Sequence, residues 1–304
     1  MSYLLIIIGL VLFEVVSSID NAVINAQVLG TVSAKARKWF LLWGMIFAVF
    51  MVRGLLPWII IWATNPTLGP WQAFMASFSG DPQVVESIEK SAPILLMGGG
   101  VFLVFLFFHW LFMEEKHFSF GFEKWFKKHD IWFFAVVSIL LSWIVWEANM
   151  INPMIAFSAV VGSTAFFIAH GFKENAEKKE KELQAGGSMT DISKILYLEV
   201  IDATFSIDGV LGAFAFTLSV PLILIGNGIG AYVVRSLTMH NIETVKKYIY
   251  LKNGAMYSIG ILGTVMVLHA FGFHIPEWLS PVSTMCIVGY FFWRSAKSIP
   301  HKNI

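Results

Sequence analysis

Runs of about 20 apolar residues recur along the whole chain, each long enough to cross ~30 Å of hydrocarbon. In lipid a backbone must satisfy its own polar groups, so such runs fold as helices packed into a bundle. The composition agrees: 57% of the 304 residues are hydrophobic and 13% charged, about half the charged fraction of an ordinary soluble domain. The fold class is therefore all-α, a polytopic transmembrane helix bundle in one domain over 1–304, with short loops and no room for a separate catalytic domain. The net charge of +1 comes from dispersed basic residues that offer no block suited to nucleic acid. Cys286, the single cysteine, excludes an internal disulfide and a thiolate-rich metal site. The first apolar run lacks a basic flank and a small-residue cleavage site, which makes it a retained span and not a signal peptide.

Nine spans fit best, near 3–30, 39–63, 92–113, 131–148, 153–170, 194–216, 220–239, 255–272 and 280–297. The fourth and fifth are short and joined by the tight turn Asn149–Pro153; a seven-span alternative merges them or makes them re-entrant. With nine spans one set of loops collects Lys35, Arg37 and Lys38, the lysines of 116–128 and 173–194, Arg235, Lys246, Lys247, Lys252, Arg294, Lys297 and Lys302. The other set holds Lys90, and Arg53 falls inside span two. The positive-inside rule then places the N-terminus outside and the C-terminus inside. Residues 1–170 form a first half, 171–193 a polar cytoplasmic linker and 194–304 a second half. In 64–91, Trp71, Phe74 and Phe78 share a helical face and Asp81-Pro82 reads as a helix start, so short helices are expected on the outer surface. In 115–130, Phe118, Phe122, Trp125 and Phe126 lie among lysines, as in an interfacial cytoplasmic helix.

Acids inside the spans carry the functional signal. Span one contains Glu14, Ser17, Ser18, Asp20, Asn21, Asn25 and Gln27; span six contains Glu199, Asp202, Thr204, Ser206, Asp208 and Gly209. An ionised carboxylate at a span centre costs roughly 2.5–3.5 kcal/mol on the insertion scale. The five carboxylates must therefore be protonated, hydrated or neutralised by a bound cation, and Arg53 is the only basic residue placed within the hydrocarbon to offset them. The two segments are also copies: Glu14-x-x-x-Ser18-Ile19-Asp20-Asn21 aligns with Asp202-x-x-x-Ser206-Ile207-Asp208-Gly209. Spans one and six run in opposite senses, the pattern of an inverted-repeat transporter with its site at the midplane.

Glu14, Ser18, Asn21 and Asn25 form one helical stripe. Asp20 lies about 240° round an ideal helix from Glu14, and Asp208 has the same offset from Asp202. Aiming both acids of a pair at one ion requires local unwinding near Ser-Ile-Asp, for which Gly209 and Gly212 are suited. Carboxylate, amide and hydroxyl oxygens suit Mg²⁺, Ca²⁺ or Mn²⁺. The candidate metal-binding residues are Glu14, Asp20, Asn21, Asp202, Ser206 and Asp208, with support from Ser18, Asn25, Arg53, Glu199 and Asn227. Asn227 also fits helix packing beside Gly226 and Gly230. His109 and His170 lie toward the cytoplasmic span ends, and Glu147 and Asn149 at an outer mouth.

The paired motifs resemble the two signature motifs of the TerC family of integral membrane proteins, named for tellurium resistance. Gly98-Gly99-Gly100-x-Phe102-Leu103 resembles that family's glycine-led third span. The resemblance maps Glu14, Asp20, Asn21, Asp202 and Asp208 onto the family's acidic positions and implies export of manganese from the cytoplasm. Gly209 stands where many relatives have serine. The implied protein is no enzyme and carries no cofactor. Its partners are the lipid bilayer and a transported divalent cation, Mn²⁺ first, with a protein partner left open, and its place is a bacterial cytoplasmic membrane. Two other functions compete. One is a non-transporting scaffold or metal-delivery partner, for which the expected surface helices supply contacts. The other is an intramembrane aspartyl protease, whose Gly-x-Gly-Asp context is missing because Phe-Ser-Ile precedes Asp208.

Overall fold

The structure, a computed structural model, describes residues 3–18, 22, 25–26, 28–44, 46–47, 53–64, 69–78, 82–116, 121–184, 190–240 and 247–298. Every regular element among them is helical, as expected. The order is α1 (Tyr3–Ser17), α2 (Ala34–Trp39), a π-helical turn (Phe40–Gly44), α3 (Arg53–Thr64), α4 (Pro70–Phe78), α5 (Pro82–Phe112) and α6 (Gly121–Lys128). Then follow α7 (Trp132–Ile151), α8 (Pro153–Gln184), α9 (Asp191–Ala213), α10 (Val220–His240), α11 (Leu251–Ala270) and α12 (Leu279–Ser298).

Among the described residues, five helical stretches are long and apolar enough to cross a membrane: Lys90–Phe112, Trp132–Ile151, Pro153–Phe172, Val220–Thr238 and Leu251–Ala270. They match expected spans three, four, five, seven and eight. Helix α9 is as long as these, but it carries Asp191, Lys194, Glu199, Asp202 and Asp208 and so loses apolar character. Spans four and five are two separate helices with Asn152 alone between them. Asn152 closes one and starts the other: its N–H donates to the Ala148 carbonyl, and its Oδ1 accepts from the Met154 N–H at 2.8 Å. Pro153 occupies the first helical position, where no amide donor is needed.

Two expected boundaries shift. Helix α5 begins at Pro82 and runs 31 residues without a break, so the helix start read at Asp81-Pro82 and span three are one element. Pro93 lies within it and, having no N–H, leaves one i to i−4 bond unmade without ending the helix. Helix α8 continues past residue 170 through Gln184, taking the first part of the polar segment into a helix. Elsewhere in 64–91, α4 behaves as a surface helix: Trp71 is exposed and stacks on Phe74, while Trp58 Nε1 donates to the Pro70 carbonyl at 2.9 Å.

Three adjacent glycines set the packing of the largest core. Gly98 lies against Ser158 and Gly162 of α8, Gly99 against Met266 of α11, and Gly100 against Gly263 and Val267 of α11. Small residues at such crossings let backbones approach closely, the main source of packing energy where lipid replaces water. The hydroxyl of Ser158 adds a bond to the Ile94 carbonyl. Met97, Leu103, Phe105, Trp110, Phe133 and Phe166 fill the spaces between these helices. A Cβ at Gly162 would overlap the backbone of Gly98. Gly162→Ala is therefore expected to destabilise the protein by about 1–3 kcal/mol, the usual cost of overpacking a core, read as an earlier thermal unfolding of the purified protein in detergent.

Contacts along the helices give their relative directions. Leu10 and Glu14 of α1 meet Gly226 and Gly230 of α10, and Gly9 and Val16 meet Pro281 and Val288 of α12, so α1, α10 and α12 run the same way. Gly98 with Gly162, Phe102 with Phe166 and His109 with His170 make α5 and α8 parallel. Gly100 with Val267 and Phe107 with Gly260 make α11 antiparallel to α5.

Candidate cation site

The two motif helices touch each other, and they run in opposite directions. Gly9 of α1 faces Phe216 just beyond α9, Phe13 faces Gly212, and the Glu14 carboxylate faces Gly209. Glu14 is 1% exposed. A Cβ at Gly209 would lie 3.0 Å from Glu14 Oε2, and one at Gly230 would lie 2.6 Å from Glu14 Cβ. Glycine on two neighbouring helices therefore makes the room that this side chain fills. Ser18 Oγ donates to Glu14 Oε1 at 3.1 Å, realising the start of the stripe read from the spacing. Asn25, farther along that stripe, is buried. Asp20 and Asn21 lie outside the described residues.

The expected unwinding is not present in the second copy. Helix α9 is continuous from Asp191 to Ala213, through Ser206-Ile207-Asp208-Gly209. Gly209 and Gly212 provide close approach to Glu14 and Phe13 and do not break the helix. In the first copy, α1 ends at Ser17, inside the motif that Glu14 begins, and the backbone bonds Ser18 N–H to Glu14 carbonyl and Ala22 N–H to Ser18 carbonyl follow it. Because α9 stays regular, Asp202 and Asp208 keep their separation of about 240° and point to different surroundings. Ser206 is buried, and its hydroxyl donates to the Asp202 carbonyl at 2.6 Å within its own helix. Asp208 is half-buried. Among the described residues no three His, Cys, Asp or Glu side chains converge as a metal-ligand set.

Asp202 and Glu199 meet a basic residue that sequence reasoning put in the wrong place. Arg235 lies in α10 and is buried; it is not a loop residue. Its Nη2 is 3.2 Å from Asp202 Oδ2 and 3.3 Å from Glu199 Oε2, and its Nη1 donates to Glu199 Oε1 at 3.4 Å. The same Nη1 donates to the Phe40 carbonyl at 2.7 Å, and the guanidinium lies 4.3 Å from the centre of the Phe40 ring. Phe40 opens the π-helical turn, whose Gly44 packs directly on Glu199 and Arg235. Any side chain at Gly44 would fill the space those two groups occupy. Arg53, expected to be the only counter-charge in the hydrocarbon, begins α3; its side chain lies outside the described residues. Arg235 was legible, since it falls inside the span read at 220–239, and a basic residue near a span end can reach inward as well as snorkel outward.

Asn227 is fully buried on α10, and neither atom of its amide has a hydrogen-bond partner among the described residues. A buried amide left open costs about 1–3 kcal/mol. It lies on the same helix as Gly230, against which Glu14 packs, and as Arg235. Glu147 and Asn149 are exposed. His109 and His170 pack ring to ring with centroids 3.9 Å apart.

A third buried carboxylate, absent from the sequence reading, packs beside the large core. Glu123 of α6 is 0% exposed. Its carboxylate accepts from Asn253 Nδ2 at 3.1 Å and from Tyr257 Oη at 2.6 Å, both on α11. Nearby, Lys116 Nζ donates to the Trp110 and Leu111 carbonyls at 2.8 Å, closing the C-terminal end of α5. Burial lowers the pKa of Lys116, while the Glu123 charge works against that shift. The amphipathic reading of 115–130 holds for Trp125, which is exposed, and Phe126, which packs on Phe112 at 4.9 Å. The side chains of Phe118 and Phe122 lie outside the described residues. Glu123→Ala takes the carboxylate acceptor away from Asn253 and Tyr257 and is expected to destabilise the protein by about 2–3 kcal/mol, measurable by thermal unfolding in detergent.

The profile of a family described as a protein of unknown function, DUF475, matches residues 19–300. The chain is also 32% identical over 83 residues to a protein named uncharacterized membrane protein YceF from Bacillus subtilis (strain 168). That match covers 27% of this chain and 32% of the relative, so the similarity spans about a third of the relative's length. No solved structure matches the chain. The profile match begins just beyond α1 and Glu14, extends over most of the chain and includes the helices that carry Glu123, Glu199 and Asp202, and the chain is a helical membrane protein belonging to the DUF475 family.

Proposed function

We propose that the protein is a divalent-cation transporter whose cargo is bound by carboxylates of the two motif helices. The observation that carries this reading is the burial of Glu14 at the crossing of two antiparallel copies of one acidic motif. Intramembrane carboxylates are costly and are kept where ions or protons pass. Antiparallel copies meeting at such acids are the arrangement in which transporters place their substrate site. The donors Glu14, Asp202 and Asp208, with Asp20 and Asn21 of the same motif, present oxygen ligands, which suit a hard cation. The finer assignment, efflux of Mn²⁺ by alternating access, rests on the resemblance of both motifs to the TerC pattern. In this reading the protein is not an enzyme and the metal is cargo, not a cofactor.

The test is flux. The purified chain in liposomes is offered a panel of Mn²⁺, Mg²⁺, Ca²⁺ and Zn²⁺, with Asp208→Asn as its partner variant. The expected result is uptake of Mn²⁺ by the parent chain and at least a tenfold loss in the variant, the effect of removing about 1.4 kcal/mol of binding. Equal flux through empty liposomes, the parent and the variant would refute transport and favour a scaffold that moves no ion.

A further inference from the structure

Arg235 holds more than the acids of the second motif. Through its bond to the Phe40 carbonyl and its contact with the Phe40 ring, it also holds the segment that follows the first motif. Phe40 belongs to a small apolar cluster with Val28, Leu29, Val32, Ile195 and Leu198. This cluster is separate from the large core and joins residues 28–40 to the first turns of α9. Two polar bonds flank it: the Ser33 N–H donates to Asp191 Oδ2 at 3.0 Å, and Lys194 Nζ donates to Thr31 Oγ1 at 3.1 Å. One end of the contact between the two motif-bearing halves is thus closed, and Arg235 links that closure to Asp202.

We propose that Arg235 is a tethered cation that holds this end closed, and that a divalent cation binding at Asp202 displaces it and opens the end. The inference rests on the transport reading above. Its chemistry is competition for one oxygen. The guanidinium reaches Asp202 Oδ2 at 3.2 Å, whereas a divalent ion binds a carboxylate oxygen at about 2.0–2.6 Å, and two positive groups cannot share that oxygen without repulsion. Glu199 keeps Arg235 paired after Asp202 is lost, so the guanidinium has an alternative position that leaves no bare charge. Arg235 Nη1 serves the Phe40 carbonyl and Glu199 Oε1 together, so a guanidinium that withdraws toward Glu199 takes its donor away from the Phe40 carbonyl and releases that segment. A ligand shifts a two-state element only through unequal affinity for the two states, and here the inequality is access to Asp202.

The test reads the closure directly. In a Cys286→Ser background, Val32→Cys places one thiol in the sealed cluster, where Val32 is 5% exposed. Its rate of labelling by a soluble thiol reagent is measured in detergent with and without Mn²⁺, and Mn²⁺ flux is measured in liposomes. The expected result is labelling about fivefold faster or more with Mn²⁺, a population shift toward the open form. The E199Q/R235Q form, which removes the tether without leaving Glu199 charged, is expected to label fast from the start and to ignore Mn²⁺. A chain that moves Mn²⁺ but labels at one rate with and without it overturns the tether and leaves transport standing, as does an E199Q/R235Q form that responds like its parent. A chain that neither binds nor moves Mn²⁺ overturns the transport reading and the tether with it.

Discussion

Arg235→Met is expected to destabilise the protein by about 3–5 kcal/mol, because removing one partner of a buried ion pair leaves the other charge uncompensated. Here two carboxylates lose a cationic partner at once, since the guanidinium pairs with both Glu199 and Asp202. The Phe40 carbonyl loses its donor as well. Methionine matches much of the arginine stem, so the loss reads the charge more than the volume. Lysine at this position keeps the charge but not the planar fork that reaches Glu199, Asp202 and Phe40 together, and an intermediate loss is expected. The E199Q/R235Q double variant removes one acid with the base and is expected to recover part of the stability lost in Arg235→Met, since Glu199 no longer needs a partner while Asp202 stays charged. Thermal unfolding of the three purified variants in detergent measures all of this. An Arg235→Met protein as stable as the parent would mean that Glu199 and Asp202 are protonated or hydrated and do not depend on the guanidinium.

Much of the architecture was legible in the sequence, because lipid leaves few choices. A run of 20 apolar residues without charges can only be a helix, and Trp132–Ile151, Pro153–Phe172, Val220–Thr238 and Leu251–Ala270 fell close to where the hydropathy put them. Asn152-Pro153 announced its own turn. Boundaries failed where polar sequence continues a helix beyond the apolar run, as at Pro82–Ser91 and Gly171–Gln184. There i to i+4 backbone bonding persists while hydropathy drops, so hydropathy marks the membrane edge and not the helix end. The candidate site was half legible. Burial of Glu14 and Ser206, and the meeting of the two motifs, followed from the cost of acids in apolar spans. The expected break at Gly209 did not, because a glycine that frees the backbone and a glycine that admits a neighbouring side chain look alike in sequence. Only the presence of Glu14 against Gly209 separates the two uses. Arg235 was misread because counting basic residues by loop assigns each to a side before asking what it could reach. Glu123 left no signal at all: an acid in a lysine-rich amphipathic segment reads as solvated until α11 is seen to present Asn253 and Tyr257 to it.

Glu14→Gln is expected to leave the fold intact and to reduce divalent-cation flux by about 100-fold, a loss of roughly 3 kcal/mol at the scale of one charge-assisted contact. The amide keeps the shape that Gly209 and Gly230 accommodate, and its Oε1 still accepts from Ser18 Oγ. Removing a charge from a position 1% exposed also relieves a desolvation cost, so unfolding should come no earlier than in the parent. Stability and flux therefore move in different directions if the carboxylate binds cargo, and together if it only knits α1 to its neighbours. Gly230→Ala supplies the converse case. Its added Cβ, 2.6 Å from Glu14 Cβ, displaces the acid while keeping its charge, so flux and stability should both fall. An active Glu14→Gln protein beside an inactive Gly230→Ala protein would assign this crossing to packing and move the cation to the carboxylates of α9. An inactive but fully stable Glu14→Gln protein would place the cation at the acid of α1 that Gly209 of α9 and Gly230 of α10 accommodate.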